Sequence, residues 1–117
     1  MSQLDSFPDT LNVAVIGASG AIGSEFVRQL AGDDRVERVR AFARSPLELP
    51  EGKTVTGTID ICDADSVARA ADTLEADEKL DLVVLATGIL HRGAAIHPEK
   101  SLRDIDPAAM TELFNVN

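Results

Sequence analysis

The sequence predicts an α/β fold, a parallel β-sheet with helices on its flanks. Three observations carry that expectation. Short runs of Val, Ile, Leu and Ala alternate along the chain with segments of helical periodicity, and such alternation implies parallel strands joined by right-handed crossovers. The run Leu82-Val83-Val84-Leu85 is apolar at every position, as expected of a strand buried on both faces. Aromatic residues make up only 3% of the chain against 44% hydrophobic, so the core must be aliphatic, which suits a buried parallel sheet better than an aromatic-rich sandwich. The 117 residues fit one domain, residues 1–117.

Each element can be justified in turn. Leu11–Ile16 is a short apolar, β-branched run and reads as the first strand. From Ala21 to Ala31 the apolar residues Ile22, Phe26, Val27 and Leu30 follow helical spacing, and Gly32 is a natural stop. Val36–Ala43 alternates, with Val39, Ala41 and Ala43 on one face between arginines, and forms the second strand. Ser45–Gly52 holds two prolines and a glycine and must be a loop. Thr54–Ile61, rich in Thr, Val and Ile and interrupted by Gly57, reads as the third strand. Asp63 or Asp65 caps the next helix, where Val67, Ala70, Ala71 and Leu74 make a stripe. Asp81–Ala86 is the fourth strand, and after Gly88 comes a long irregular stretch with His91, Gly93, His97 and Pro98. Asp106-Pro107 then supplies an N-cap and a proline at the first helical position, opening a helix over Ala108–Val116.

Composition limits what the chain can do. Twenty acidic residues against 11 basic give a net charge of -9, which argues against nucleic acid or an anionic membrane as a partner. A local anion site built from backbone amides and one arginine is compatible with that balance. The single cysteine, Cys62, rules out an internal disulfide and fits a reducing compartment. No apolar run approaches the ~20 residues needed to span a bilayer, and the polar, acidic start of the chain has no signal-peptide character. A cytoplasmic location is expected.

The richest segment is Val13-Ala14-Val15-Ile16-Gly17-Ala18-Ser19-Gly20-Ala21-Ile22-Gly23, where a strand flows into three glycines spaced three apart and then into an amphipathic helix. The spacing Gly-x-x-Gly-x-x-Gly differs from the Gly-x-Gly-x-x-Gly fingerprint, but the physical demands are the same. One glycine permits the tight turn, one lets a pyrophosphate approach the backbone, and one lets the helix lie close to the sheet. A strand, glycine turn and helix N-terminus in this order suit a dinucleotide pyrophosphate, the alternative being a glycine turn that serves packing only, and the Ser19 hydroxyl can join the amide cluster. This makes the expected fold Rossmann-type.

Arg44-Ser45 ends the second strand, where dinucleotide folds meet the adenosine ribose. An acid there accepts from the ribose hydroxyls and favours NAD. Here an arginine stands instead, and a guanidinium matches a 2′-phosphate in charge and fork geometry. NADP is therefore favoured over NAD, the alternative being an arginine simply solvated at a strand end. Asp60-Ile61 closes the third strand beside the expected adenine pocket, where the carboxylate can accept from the exocyclic amine and Ile61 can pack on the ring. A helix-capping acid cluster with Asp63 and Asp65 is the other reading, and the two are compatible. His91 and His97, with Glu99 the only close third ligand, read as solvated loop residues rather than a metal site, and Lys100 and Arg103 as surface partners of nearby acids. Cys62 reads as a packing residue.

With these residues assembled, the chain resembles the short-chain dehydrogenase/reductase superfamily and, within it, the proteins related to the cell-signalling C-factor. The likeness covers nearly the whole chain. Val15–Gly23 looks like the family's glycine motif, Arg44 falls where NADP-preferring members carry a basic residue, and Asp60-Ile61-Cys62-Asp63 looks like the adenine-pocket segment. Leu85-Ala86-Thr87-Gly88 sits where many members have Asn-Asn-Ala-Gly, and Asn117 matches the asparagine that supports the family's proton relay. Three departures stand out: Ile16 replaces the usual Thr, Ala21 replaces a glycine, and the Asn-Asn-Ala-Gly segment keeps only its glycine.

The resemblance implies a hydride transfer between nicotinamide and a carbonyl or alcohol carbon of a small substrate, by a homo-oligomer of the parent enzyme. The implied cofactor residues are Gly17, Ser19, Gly20, Ala21, Ile22, Arg44, Ser45, Asp60, Ile61, Ala86, Thr87 and Gly88, with Asn117 the one catalytic-set residue. The family's catalytic Ser and Tyr-x-x-x-Lys lie past Asn117, and the sequence holds no Tyr. The expectation is thus a Rossmann-type sheet truncated after the fourth strand and following helix, the cofactor-binding part of an enzyme and inactive alone. The alternative is a non-catalytic NADP(H)-binding or redox-sensing module. A third reading is a structural remnant only, in which Leu82–Ala86 stands at a sheet edge and leaves apolar surface prone to association.

Overall fold

A computed structural model describes residues 6–45, 47–49, 52–76, 79–88 and 106–117. The elements run β1 (Leu11–Ile16), α1 (Ala21–Ala31), β2 (Val36–Ala43), β3 (Thr54–Thr58), α2 (Ala64–Glu75), β4 (Leu82–Leu85) and α3 (Pro107–Val116). The chain divides into two compact units, Met1–Ala86 and Thr87–Asn117, and each is described by itself.

In the first unit four strands form one sheet in the order β3-β2-β1-β4. Every pairing is parallel, with Ile16 opposite Phe42, Ile16 opposite Leu85 and Phe42 opposite Gly57. Because strand side chains alternate between faces, β1 serves two cores. Leu11, Val13 and Val15 pack with Val39 and Ala41 of β2 and with Val27 and Leu30 of α1. On the opposite face Ala14 packs with Phe42, Ile59 and Ala70 of α2, flanked by Ile16, Ile61 and Leu74. The expected aliphatic core is present, with one aromatic, Phe42, buried in it.

Four expectations need correction. β3 ends at Thr58, not Ile61, because the chain turns there to build the start of α2. The Asp60 carboxylate accepts from Cys62 N–H at 3.0 Å, and Asp60 N–H donates to Ser66 Oγ at 2.8 Å. β4 is not buried on both faces: Leu82 and Val84 face the α1-side core, while Val83 and Leu85 are 52% and 67% exposed. The α2-side core is built from Ala14, Phe42, Ile59 and Ala70 and takes in no β4 residue; among the described residues β4 pairs with β1 alone, in the edge position expected for it. In α1 the buried line is Gly23, Val27 and Leu30, whereas Ile22 and Phe26 are 70% and 44% exposed. In α2 only Ala70 is buried and Leu74 half-buried, with Val67 and Ala71 exposed. Short side chains at the helix–sheet contact allow close approach, which apolar periodicity alone does not reveal.

Capping follows the sequence. Asp63, rather than Asp65, is the N-cap of α2 and accepts from the N–H groups of Asp65 and Ser66 at 3.0 and 3.4 Å. Asp106 caps α3 by accepting from Ala108 N–H at 3.0 Å, with Pro107 at the first position.

Candidate functional site

Parallel strands send all their carboxyl ends to one edge of the sheet. Gly17 follows β1 there, Arg44 follows β2, Ile59-Asp60 follows β3 and Ala86 follows β4. The strand order also reverses beside β1: β2 and β3 extend to one side, and the chain then returns to place β4 on the other. Ligands of open α/β sheets bind in the crevice at such a switch point. The glycine turn leaves β1 at that point.

The turn is held from behind and open in front. Gly17 has φ 92°, a left-handed conformation that favours glycine. Its N–H and that of Ala18 both donate to the Phe42 carbonyl at 3.0 Å, and Gly20 N–H donates to the Gly17 carbonyl at 3.3 Å. Gly23 sits where α1 meets the turn, and a Cβ there would lie 2.0 Å from the Gly17 carbonyl oxygen. The close approach of helix to strand therefore depends on that missing side chain. Gly20 is the N-cap of α1 and offers no side-chain hydrogen bond to the first turn, whose amides have no intrahelical partner and carry the positive end of the helix dipole. Ser19, Gly20, Ala21 and Ile22 are all exposed. Such an end accepts an anion.

The remaining first-unit residues flank this turn. Arg44 and Ser45 are exposed just past β2, whose Phe42 carbonyl holds the turn. Asp60 and Ile61 are half-buried, and Ile61 packs against the core beneath α2. One Asp60 carboxylate oxygen serves the local turn to Cys62, while the cap of α2 itself is Asp63. Ala86 N–H donates to the Ile16 carbonyl at 2.8 Å, which ties the end of β4 to the root of the turn.

Thr87, Gly88 and Asn117 belong to the second unit. There Gly88 has φ 152° and lies close to Asn117, since a Cβ on it would come 3.1 Å from Asn117 Oδ1. His91, His97, Glu99, Lys100 and Arg103 lie outside the described residues. Among the described residues no cluster of His, Cys, Asp or Glu is arranged to hold a metal ion. Cys62, expected to pack, is instead exposed, because it lies in the turn between β3 and α2.

Two electrostatic perturbations occur away from the turn. Burial, with the neighbouring charge of Arg38 second, lowers the pKa of Arg40 on the α2-side face. On exposed α1 the Arg28 guanidinium, with help from Gln29, holds the Glu25 carboxyl at about 2. Two residues that shape the site escaped sequence reading, Phe42 and Ser66. Both act through hydrogen bonds to backbone amides, and a backbone carbonyl such as Phe42's leaves no signature in residue type.

Comparison with known proteins agrees with this geometry. The family model for the NAD-binding domain of semialdehyde dehydrogenase matches residues 12–101. Among solved structures, a short-chain dehydrogenase family protein from Francisella tularensis is 20% identical with a TM-score of 0.71, over 92% of this chain and 40% of that one. An NADPH-bound carbonyl reductase from chicken fatty liver is 20% identical with a TM-score of 0.71, over 97% of this chain and 45% of that one. A doubly substituted short-chain dehydrogenase/reductase from Serratia marcescens is 22% identical with a TM-score of 0.67, over 93% of this chain and 46% of that one. The chain thus spans less than half the length of each of these structures, and no curated protein matches it. No helix among the described residues is long and apolar enough to cross a membrane. By the extent of the family match the chain belongs to the semialdehyde dehydrogenase NAD-binding domains, built on the Rossmann-type fold of the short-chain dehydrogenases and carbonyl reductases.

Proposed function

We propose that this chain is the NADP(H)-binding portion of an oxidoreductase that moves hydride between nicotinamide and a carbonyl or alcohol carbon of a small molecule. The observation that best supports it is an exposed glycine turn opening an uncapped helix, with an arginine rather than an acid ending the next strand along the same edge. The narrower kinship with the C-factor-related proteins is part of the same proposal.

The residues present suit a dinucleotide. First-turn amides of α1 and the Ser19 hydroxyl donate to pyrophosphate oxygens, with Gly20 leaving room for their approach. Arg44, beside Ser45, takes a 2′-phosphate by charge-assisted hydrogen bonds. The Asp60 carboxylate accepts from the adenine amine and Ile61 packs on the ring. Ala86, Thr87 and Gly88 serve the nicotinamide side, and Asn117 supports the proton relay. When bound, the nicotinamide supplies the hydride donor or acceptor. Acid–base chemistry is assigned to no residue of this chain; in the resembled family it belongs to a Ser and a Tyr-x-x-x-Lys. Carbonyl chemistry is consistent with the reductase activity in the name of the chicken relative and with the semialdehyde in the family description. A cytoplasmic, homo-oligomeric parent completes the proposal, with one exposed cysteine suiting a reducing compartment.

The test of cofactor choice is Arg44→Asp. A lost charge-assisted pair weakens NADPH binding by about tenfold or more, while NADH binding holds or improves. Calorimetry with both cofactors checks it. An unchanged NADPH-to-NADH ratio would return Arg44 to the status of a solvated strand-end residue.

A further inference from the structure

Phe42 joins two contacts in one residue. Its carbonyl accepts both amides that open the glycine turn. Its ring, 3% exposed, lies over Gly57, its register partner on β3. A Cβ on Gly57 would stand 2.6 Å from Phe42 Cε1 and 2.9 Å from Cδ1, so the ring occupies the space a side chain at 57 would need. A glycine inside a strand weakens it, and the ring supplies the reason this one is present. The backbone of Phe42 is thus held on the β1 side by Gly17 and Ala18 and on the β3 side by the seating of its ring. Two residues further on, the same backbone reaches Arg44.

We propose that Phe42, seated by Gly57, is the positioning residue for the adenosine half of the dinucleotide site. It sets the glycine turn and Arg44 in register with each other. It acts through Gly17, Ala18 and Arg44 rather than by touching the cofactor. The inference rests on the NADP(H) reading given above for what the edge binds, but the coupling of Phe42 to the turn is independent of it.

The test compares the unchanged 117-residue chain with Gly57→Ala, Phe42→Leu and the double variant. Two readouts apply: amide hydrogen exchange by NMR, and calorimetry with adenosine 2′,5′-bisphosphate. In Gly57→Ala the displaced ring raises exchange at Gly17 and Ala18 by about tenfold, relative to Leu11 and Val39, whose N–H groups bond to Arg35 and Lys53 carbonyls in the same sheet. Affinity for the bisphosphate falls by a similar factor. The double variant, in which the smaller Leu leaves room for the new methyl, restores both. Should Gly57→Ala fail to fold, Phe42→Leu alone carries the test, since it frees the ring's seat and predicts the same selective rise. Exchange that rises evenly across the sheet, or a folded variant with unchanged affinity, would overturn the proposal. If the unchanged chain binds no bisphosphate, the NADP(H) reading fails, while exchange at Gly17 and Ala18 still decides whether Phe42 holds the turn.

Discussion

At the scale of residues, Gly23 carries the tightest steric constraint in the molecule's glycine turn. A Cβ there would stand 2.0 Å from the Gly17 carbonyl oxygen and 2.8 Å from its carbon. Both are backbone atoms, so relief requires moving the helix away from the strand rather than turning a side chain. Gly23→Ala should therefore lower stability by about 3 kcal/mol, at the upper end of overpacking costs, as read by urea unfolding; a loss under half that would mean that α1 shifts cheaply. This constraint was legible in the sequence, because glycines spaced three apart between a strand and a helix have few other uses. Phe42 was not. What matters there is a carbonyl oxygen and the fit of a ring over Gly57, and the sequence showed only an interrupted strand.

At the scale of elements, local chemistry decided the boundaries. The caps Asp63 and Asp106 and the stop at Gly32 stand where turn and capping residues put them. Asp63 answers two first-turn amides of α2, so Asp63→Ala should cost about 1 kcal/mol of stability, and Asp65→Ala clearly less; equal losses would move the cap to Asp65. Where the sequence reading failed, hydrogen bonds beyond nearest neighbours had won. Ile59 and Ile61 have strand-forming residue types, yet Asp60 between them is bonded to Cys62 and Ser66 and turns the chain. In α1 the contact line passes through Gly23, which no count of apolar residues includes. Ile22 and Phe26 fit the helical period and still lie on the exposed side.

At the scale of the whole molecule, alternation predicted a parallel α/β sheet and the sheet is parallel throughout. The burial of β4 could not be read the same way, since an apolar run has no mark of whether a strand ends up central or at an edge. Among the described residues the order β3-β2-β1-β4 puts β4 at the edge with Val83 and Leu85 exposed, a surface suited to association. Light scattering of the chain should show mass rising with concentration, and Val83→Lys with Leu85→Lys should suppress it; a monomer at every concentration would contradict this. The residues expected to bind cofactor on the first unit share one edge because parallel strands deliver their ends there, whereas Thr87, Gly88 and Asn117 belong to the second unit. Whether this edge binds NADP(H) is decided by parallel calorimetric titration of the 117-residue chain with NADPH and NADH. Saturable, one-to-one binding of NADPH at least about tenfold tighter than NADH is expected; binding of neither, or tighter binding of NADH, would overturn the proposed function.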